Sequence, residues 1–162
     1  MRKLVLIILM AAPLFAADSA RRIEREVTVS ASRAEVWRAW TTVDGSRFFA
    51  PAANIELRPG GAYEIYFNPE APAGRKGGEG NRVIAFEPEQ MLLFSWNAPV
   101  KFGPLREERT YVLLQLDDAG AERTRVRLTH FGWREGKDWD AVYDYFGGAW
   151  SWVLEQLEAN YR

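Results

Sequence analysis

The feature of the sequence that most constrains the fold is an apolar stripe near the C-terminus. From about Asp138 onward, large apolar residues recur at spacings of three and four, which is the period of one helix face. They are Trp139, Val142, Tyr143, Phe146, Trp150, Val153, Leu154, Leu157 and Tyr161. Burial of each such side chain contributes about 1.5–3 kcal/mol, whereas ordering each backbone residue costs about 1–2 kcal/mol. We therefore expect this helix to be stable only when it is docked on another layer.

The segments before the helix supply that layer, because they alternate as strands do. In residues 22–30, Ile23, Val27 and Val29 share one face with Arg25, and charged or polar residues take the other face. Further strand-like runs are separated by turn signals rich in Gly, Pro and Asp. They cover residues 54–57, 62–67, 81–86, 91–96, 108–116 and 123–131.

Short helical segments follow the first strand. Ser32 and Glu35 form a capping-box pattern, and Val36 and Trp40 mark the apolar face of the helix that they begin. A second short helix is expected at residues 46–49. Antiparallel strands with helices on one face form an α+β layer architecture. The sequence predicts an α+β fold in which a six- to seven-stranded curved antiparallel sheet wraps around the long C-terminal helix, with one or two short helices after the first strand.

The first residues have the tripartite pattern of a secretory signal. Met1, Arg2 and Lys3 precede an apolar run at residues 4–12, and small residues follow at positions 16 and 17. The run is shorter than the roughly 20 residues that a membrane-spanning helix requires. We expect residues 1–20 to be a cleavable signal peptide, cut near residues 16–19, and residues 21–162 to form a single periplasmic or secreted domain. The alternative is an uncleaved segment that tethers the domain to a membrane.

The charge balance excludes some classes of partner. Without residues 1–16 the chain keeps 19 of its 21 Lys and Arg against 22 Asp and Glu, a net charge of −3. This balance offers no basic stripe for nucleic acid or an anionic membrane, so we expect no nucleic-acid partner and no membrane insertion after signal cleavage. With one His and no Cys, no residues have the spacing of zinc ligands. We expect neither a metal nor a cofactor.

A series of short motifs runs in a characteristic order along residues 23–161. The motifs are Val36-Trp37-Arg38-Ala39-Trp40-Thr41, Gly60-Gly61-Ala62-Tyr63, Glu87-Pro88-Glu89, Leu92-Leu93-Phe94-Ser95-Trp96, Thr124-Arg125-Val126-Arg127-Leu128-Thr129-His130, and Trp150 with Val153, Leu154 and Leu157. The series resembles the helix-grip (START-like, SRPBCC) superfamily and, within it, the family typified by the activator of the Hsp90 ATPase. The resemblance implies a sheet that grips the last helix, often with a ligand-sized cavity between them. It implies no single activity, because the superfamily includes lipid carriers, hormone receptors, cyclases and co-chaperones.

The last helix contains a run of small residues. Gly147 and Gly148 each cost about 1 kcal/mol relative to Ala inside a helix. Ala149 stands where the family that this chain resembles often has Gly. The pair of glycines predicts either a close approach to a strand or room for a ligand.

Two titratable residues are candidates for chemistry. By strand parity His130, the chain's one His, faces inward, where it would act as a general acid or base or as a hydrogen-bond anchor for a ligand. The more common role of such a residue is a core His satisfied by neighbouring groups. Parity with Val112 also turns Glu108 and Thr110 inward, and a buried Glu108 would need a partner such as Arg82. Otherwise Glu108 lies in water at the frayed start of its strand.

Two loops are candidates for the border of a cavity. Residues 68–80 are rich in Gly and Pro, and they lack the strand-loop-helix context of a phosphate-binding loop because a strand follows them. They form either a mobile hairpin loop or a flap over a cavity mouth. Residues 97–105 form a second lip, or else they expose Val100 and Phe102 as a docking patch.

These features lead to three hypotheses about function. The first is an exported, non-enzymatic domain that binds a small apolar or aromatic molecule between the sheet and the C-terminal helix. The second is a cavity enzyme of the cyclase, dehydratase or hydrolase type that uses His130 and Glu108. The third is a protein-binding, co-chaperone-like module whose partner the sequence does not identify. The candidate ligand-binding residues are Tyr63, Ile65, Phe67, Phe94, Trp96, Thr110, His130, Trp139, Tyr143, Phe146 and Trp150.

Overall fold

The computed structural model describes residues 21–162. The predicted signal peptide, residues 1–20, lies outside the described residues. The elements are strand β1 (Ile23–Val29), helix α1 (Arg33–Thr41), a first 3₁₀ helix (Gly45–Phe48), strands β2 (Ala52–Ile55), β3 (Tyr63–Tyr66), β4 (Val83–Glu87) and β5 (Met91–Trp96), a second 3₁₀ helix (Val100–Glu107), strands β6 (Thr110–Asp118) and β7 (Thr124–Phe131), and helix α2 (Lys137–Asn160).

Five of the strands form the main sheet. Their order is β1-β7-β6-β5-β4, and every neighbouring pair is antiparallel. Strands β2 and β3 form an antiparallel hairpin. This hairpin is joined to the start of β4, because the N–H of Tyr63 donates to Asn81 O and the N–H of Val83 donates to Gly61 O, each at 2.9 Å. The predicted α+β fold, with its curved antiparallel sheet and long C-terminal helix, is confirmed. The main sheet has five strands rather than the predicted six or seven, because β2 and β3 pair with each other as a separate hairpin.

Strand alternation turns one face of the sheet into the core. The buried residues of β6 and β7 are Thr110, Val112, Leu114, Leu116, Thr124, Val126, Leu128 and His130. On the opposite face, Arg125 and Arg127 both approach the carboxylate of Asp117, at 3.6 and 2.8 Å. These arginines of β7 therefore lie outside the core.

Helix α1 begins with the predicted capping box. The Ser32 hydroxyl accepts the N–H of Glu35 at 3.3 Å, and the Glu35 carboxylate accepts the hydroxyl and the N–H of Ser32 at 2.7 and 2.8 Å. These hydrogen bonds hold the pKa of Glu35 below its usual range. At the other end of α1, the buried hydroxyl of Tyr63 donates to Trp40 O at 2.9 Å and ties the helix to β3.

Helix α2 packs into the core through the predicted stripe. Its buried residues are Trp139, Val142, Phe146, Trp150, Val153, Leu154 and Leu157. An arginine of β1 fixes the middle of the helix, because Arg25 Nε donates to Ser151 Oγ at 2.9 Å and Arg25 Nη2 donates to Gly147 O at 3.0 Å. Within residues 21–162, no helix is both long enough and apolar enough to cross a membrane.

Candidate functional site

A cavity of about 280 Å³ lies between α2 and two loops. The first loop, residues 68–80, connects β3 to β4, and we call it the flap. The second follows β5; it comprises the predicted residues 97–105 and also Arg106, and we call it the lip. Small-molecule sites have volumes of about 300–1,000 Å³, so this cavity is at the lower limit for a ligand. The two loops predicted from composition both contribute residues to its border.

One side of the cavity is an aromatic wall. It consists of Phe67, Trp96, Tyr145, Phe146 and Trp150. The ring centroids of Trp96 and Trp150 are 5.5 Å apart, and Phe146 stacks on Trp150 at 6.2 Å, which are favourable distances for aromatic pairs. Phe67 and Tyr145 are 46% and 39% exposed, so the wall extends from buried tryptophans to solvent. Aliphatic lining comes from Pro99, Val100, Ala149 and Val153.

Behind the aromatic wall, His130 is held by a chain of hydrogen bonds. Trp150 Nε1 donates to His130 Nδ1 at 2.8 Å, and His130 Nε2 lies 2.7 Å from Thr110 Oγ1. The Thr110 hydroxyl donates to Trp96 O at 3.2 Å. An indole N–H can only donate, so Nδ1 is the acceptor and the imidazole proton lies on Nε2, facing Thr110. The chain therefore begins and ends at tryptophans of the wall.

This environment keeps the His130 imidazole neutral. The side chain is fully buried, and burial lowers the pKa of His130 from 6.5 to about 3. Both ring nitrogens have partners, and His130 is not among the residues that line the cavity. In this position His130 is a core residue with both ring nitrogens hydrogen-bonded, and it supports the aromatic wall.

Arg106 of the lip holds the flap over the cavity. Its guanidinium donates to the carbonyl oxygens of Gly74 at 3.0 Å and Gly77 at 2.6 Å. It also donates to Ala98 O, on its own loop, at 2.8 Å. The Arg106 side chain is 11% exposed, so these carbonyl groups replace the water that a buried guanidinium loses.

A second set of hydrogen bonds closes the flap on itself. The Glu79 carboxylate accepts the N–H of Gly74 at 2.7 Å and of Lys76 at 2.6 Å, and it lies 3.4 Å from Arg106 Nη2. The side-chain amide of Asn97 donates to Glu79 O at 3.1 Å. The flap borders the cavity, as one of the two interpretations of this segment predicted.

The predicted ligand-binding residues divide into three groups. Those that line the cavity are Phe67, Trp96, Phe146 and Trp150. Those that are buried without lining it are Tyr63, Ile65, Phe94, Thr110 and His130. The ring centroids of Tyr63 and Phe94 are 4.2 Å apart, and those of Phe94 and Trp96 are 5.7 Å apart. The second group thus backs the aromatic wall from the core.

Trp139 and Tyr143 form the third group, because they do not converge on the cavity as predicted. Their ring centroids lie 6.3 and 5.3 Å from that of Trp133, and the Tyr143 hydroxyl donates to Arg22 O at 2.8 Å. They belong to the first turns of α2, which pack on the segment after β7, whereas the cavity lies beside the turns from Tyr145 onward.

Glu108 lies at the surface. The sequence predicted either an inward-facing position or a solvated one at the start of the strand. Strand β6 begins only at Thr110, so the parity that turned Glu108 inward does not extend to it. Its carboxylate accepts Arg134 Nη2 at 2.6 Å and Nη1 at 3.2 Å, and both side chains are more than a third exposed. Arg82, the predicted partner, is exposed and forms no ion pair with it. The structure does not bring Glu108 and His130 to one pocket.

The glycines of α2 have neither of the roles that the sequence predicted, a close approach to a strand or room for a ligand. A Cβ on Gly148 would meet no atom within 4 Å, and a Cβ on Gly147 would lie at ordinary contact distance, 3.5 Å, from Arg25 Nη2. Neither glycine lines the cavity. Nothing in the structure explains Gly148.

Sequence reasoning missed the polar lining and part of α2. The polar lining residues that were not singled out as site residues are Asn68, Arg75, Lys76, Asn97 and Arg106, although the first four lie in the two predicted loops. On α2, Tyr145 and Ala149 precede Val153 of the stripe at intervals of four, and this row was an available signal. Within residues 21–162, no three His, Cys, Asp or Glu side chains lie together in a group that could hold a metal ion.

Comparison with known proteins gives a family and a fold. Residues 30–161 match the family model of the activator of Hsp90 ATPase homologue 1-like proteins. A protein from Mesorhizobium loti is 23% identical, with a TM-score of 0.69 over 86% of this chain and 95% of its own. The Aha1 dimer from Colwellia psychrerythraea is 21% identical, with a TM-score of 0.66 over 87% and 96%.

An Hsp90 activator from Plasmodium falciparum is 14% identical, with a TM-score of 0.66 over 85% of this chain and 94% of its own. At these identities the likeness to solved structures shows the fold alone. No curated protein sequence matches the chain.

Proposed function

The chain belongs to the family of activator of Hsp90 ATPase homologue 1-like proteins, and we propose that it is a non-enzymatic member that binds a small apolar or aromatic molecule in its cavity. The observation that carries the proposal is the aromatic wall, which faces a space of about 280 Å³. An engineered apolar cavity of about 150 Å³ binds benzene. The space here therefore suits a molecule of one or two rings.

The positions of the titratable groups favour binding over catalysis. A general acid or base must come within hydrogen-bond reach of its substrate. His130 lies behind the aromatic wall with both nitrogens paired, and Glu108 is paired with Arg134 at the surface. Neither residue of the enzyme hypothesis lines the cavity.

A co-chaperone-like role is the alternative, since similar structures include an Aha1 dimer and an Hsp90 activator. That role would be favoured by an exposed apolar patch on the lip. Val100 instead lines the cavity, and Phe102 is half-buried with its ring 5.7 Å from that of Tyr145. The Lys101 ammonium lies over both rings, at 5.1 and 4.3 Å. The lip thus carries a charged group where a docking patch would be apolar.

The proposal includes export of the domain, and the N-terminal sequence is its basis. Arg2 and Lys3 precede the apolar run of residues 4–12, as in secretory signals. An exported domain would not meet a cytosolic, ATP-driven chaperone. Export therefore also favours a small-molecule ligand over a co-chaperone role.

The test is native mass spectrometry of the mature protein purified from a host that exports it. We expect a reproducible small-molecule adduct on the wild type. Ala149→Leu adds three carbons to the cavity lining, and it should remove the adduct. Ala141→Leu adds the same volume at an exposed position of the same helix and should keep the adduct.

Two outcomes would contradict the proposal. One is an adduct that both leucine variants keep, which would place the bound molecule outside the cavity. The other is a bare wild-type mass together with no binding of any ring compound of cavity size in solution.

A further inference from the structure

The charged groups that line the cavity are all of one sign. Arg75, Lys76 and Arg106 are cationic, and no Asp or Glu is among the lining residues. The whole chain carries a net charge of −1. The basic lining is therefore a local feature of an acidic molecule.

Arg106 does not contribute a free charge to this lining. Its N–H groups are taken by the carbonyl oxygens of Gly74, Gly77 and Ala98, and the Glu79 carboxylate lies 3.4 Å from Nη2. These hydrogen bonds and the nearby carboxylate balance the charge of the buried guanidinium. Its role is to hold the flap.

Arg75 and Lys76 are the other two cationic residues of the lining. Within residues 21–162, neither side chain forms an ion pair or donates a hydrogen bond. The Lys76 ammonium lies 5.7 Å from the ring centroid of Tyr66, near the outer limit of a cation–π contact. The backbone of Lys76 is fixed, because its N–H donates to Glu79 and its carbonyl oxygen accepts the N–H of Asn68.

The cavity thus presents an aromatic wall, most of it on α2 and β5, and two cationic side chains of the flap that form no ion pair. A molecule that contacts both the wall and the cations has an apolar ring body and an anionic oxygen group at one end. A guanidinium binds carboxylate and phosphate through paired N–H···O bonds, and an ammonium adds a point charge. We propose that the ligand is a small aromatic acid, whose ring packs on Trp96 and Trp150 and whose oxyanion lies at Arg75 and Lys76. This inference rests on the proposed function and names the ligand class of the same cavity.

The experiment uses four probes that share a naphthalene ring and differ in the head group. They are 2-naphthoate, 2-naphthyl phosphate, naphthalene-2-carboxamide and 2-naphthylmethylammonium, and the readout is isothermal titration calorimetry. We expect the anions to bind the wild type about five- to tenfold more tightly than the carboxamide, and the ammonium to bind least. The preference should shrink between about 20 mM and 0.5 M salt, because the cations are near solvent. The tighter of the two anions identifies a carboxylate or a phosphate as the preferred group.

Variants that remove one positive charge test which residues cause the preference for anions. Arg75→Gln and Lys76→Gln should each reduce the anion preference about threefold and leave carboxamide binding unchanged. Lys137→Gln removes the same charge at an exposed position of α2 that does not line the cavity, and it should change nothing. Equal binding of anion and carboxamide by the wild type, or an anion preference that is undiminished in both flap variants, would overturn the inference and leave the proposed function standing. Failure of all four probes to bind would count against the proposed function itself.

Discussion

The indole N–H of Trp150 donates to Nδ1 of His130 across 2.8 Å, and both side chains are buried. Because the indole can only donate, this bond requires an unprotonated Nδ1. The opposite nitrogen then donates to Thr110, whose hydroxyl reaches Trp96 O. The two tryptophans of the aromatic wall are thereby held by one neutral imidazole behind it.

The first prediction concerns the pH dependence of stability. The pKa of His130 is lowered to about 3 in the folded chain and is about 6.5 in an unfolded chain. Between these values the unfolded chain binds a proton that the folded chain does not, so stability falls as the pH falls. We expect the free energy of unfolding to drop by about 2 kcal/mol from pH 7.5 to pH 5.0, measured by urea denaturation.

His130→Asn is the control for this dependence of stability on pH, since His130 is the only His of the chain. The variant should be less stable but nearly independent of pH over the same range. In the wild type, imidazole NMR shifts should report the neutral Nε2–H tautomer down to about pH 4. An equal slope in both proteins, or an imidazole that titrates near pH 6.5, would contradict the assignment.

The second prediction concerns the indole group of Trp150. Trp150→Phe leaves His130 Nδ1 buried without a donor, and an unsatisfied buried group costs about 1–3 kcal/mol. Trp152→Phe is the matched control on the same helix, because Trp152 is 47% exposed, and it should cost less than about 0.5 kcal/mol. Urea denaturation of the two variants measures the difference. Similar stability of the two would show that the bond to His130 contributes little.

The parts of the fold that depend on near neighbours were predictable from the sequence. The capping box needs only Ser32 and Glu35, three residues apart, and the structure contains both of its hydrogen bonds. The stripe of α2 needs only a helical period, and its buried residues are those that the period selects. Alternation likewise placed His130 on the inner face of β7.

The parts of the site that depend on distant neighbours were not predictable. A helical period does not say how far along α2 the cavity lies, and for this reason the prediction that Trp139 and Tyr143 line it is wrong. Parity failed at Glu108 because it assumes an unbroken strand, and a 3₁₀ helix occupies the preceding residues. Arg106 is fixed by carbonyl groups of two loops, and no pattern of side chains along the chain records such bonds.

The third prediction concerns the mature N-terminus. If residues 1–20 contain a cleaved signal, protein recovered from an exporting host should lack its first residues, with Ala17 at the N-terminus after cleavage behind Ala16. Intact mass measurement and N-terminal sequencing test this. Leu6→Arg interrupts the apolar run and should leave the uncut chain in the cytoplasm. A membrane fraction that retains Met1 would instead support the uncleaved anchor.

The last prediction concerns the bond between the lip and the flap. Lysine keeps the charge of Arg106 but lacks the planar fork that reaches Gly74, Gly77 and Ala98 together. Each lost hydrogen bond weakens the closed flap by about 1 kcal/mol. Arg106→Lys should therefore speed amide hydrogen exchange at residues 74–78 about tenfold.

Arg82→Lys is the control for this effect, since Arg82 is exposed and lies outside the lining. It should leave the exchange of the flap unchanged. The flap carries Arg75 and Lys76, so loosening it also displaces both cations proposed to hold the oxyanion of the ligand. The same Arg106→Lys variant should then release 2-naphthoate faster than the wild type does, while the carboxamide is less affected. Unchanged exchange at residues 74–78 would mean that the internal bonds of Glu79 alone keep the flap closed.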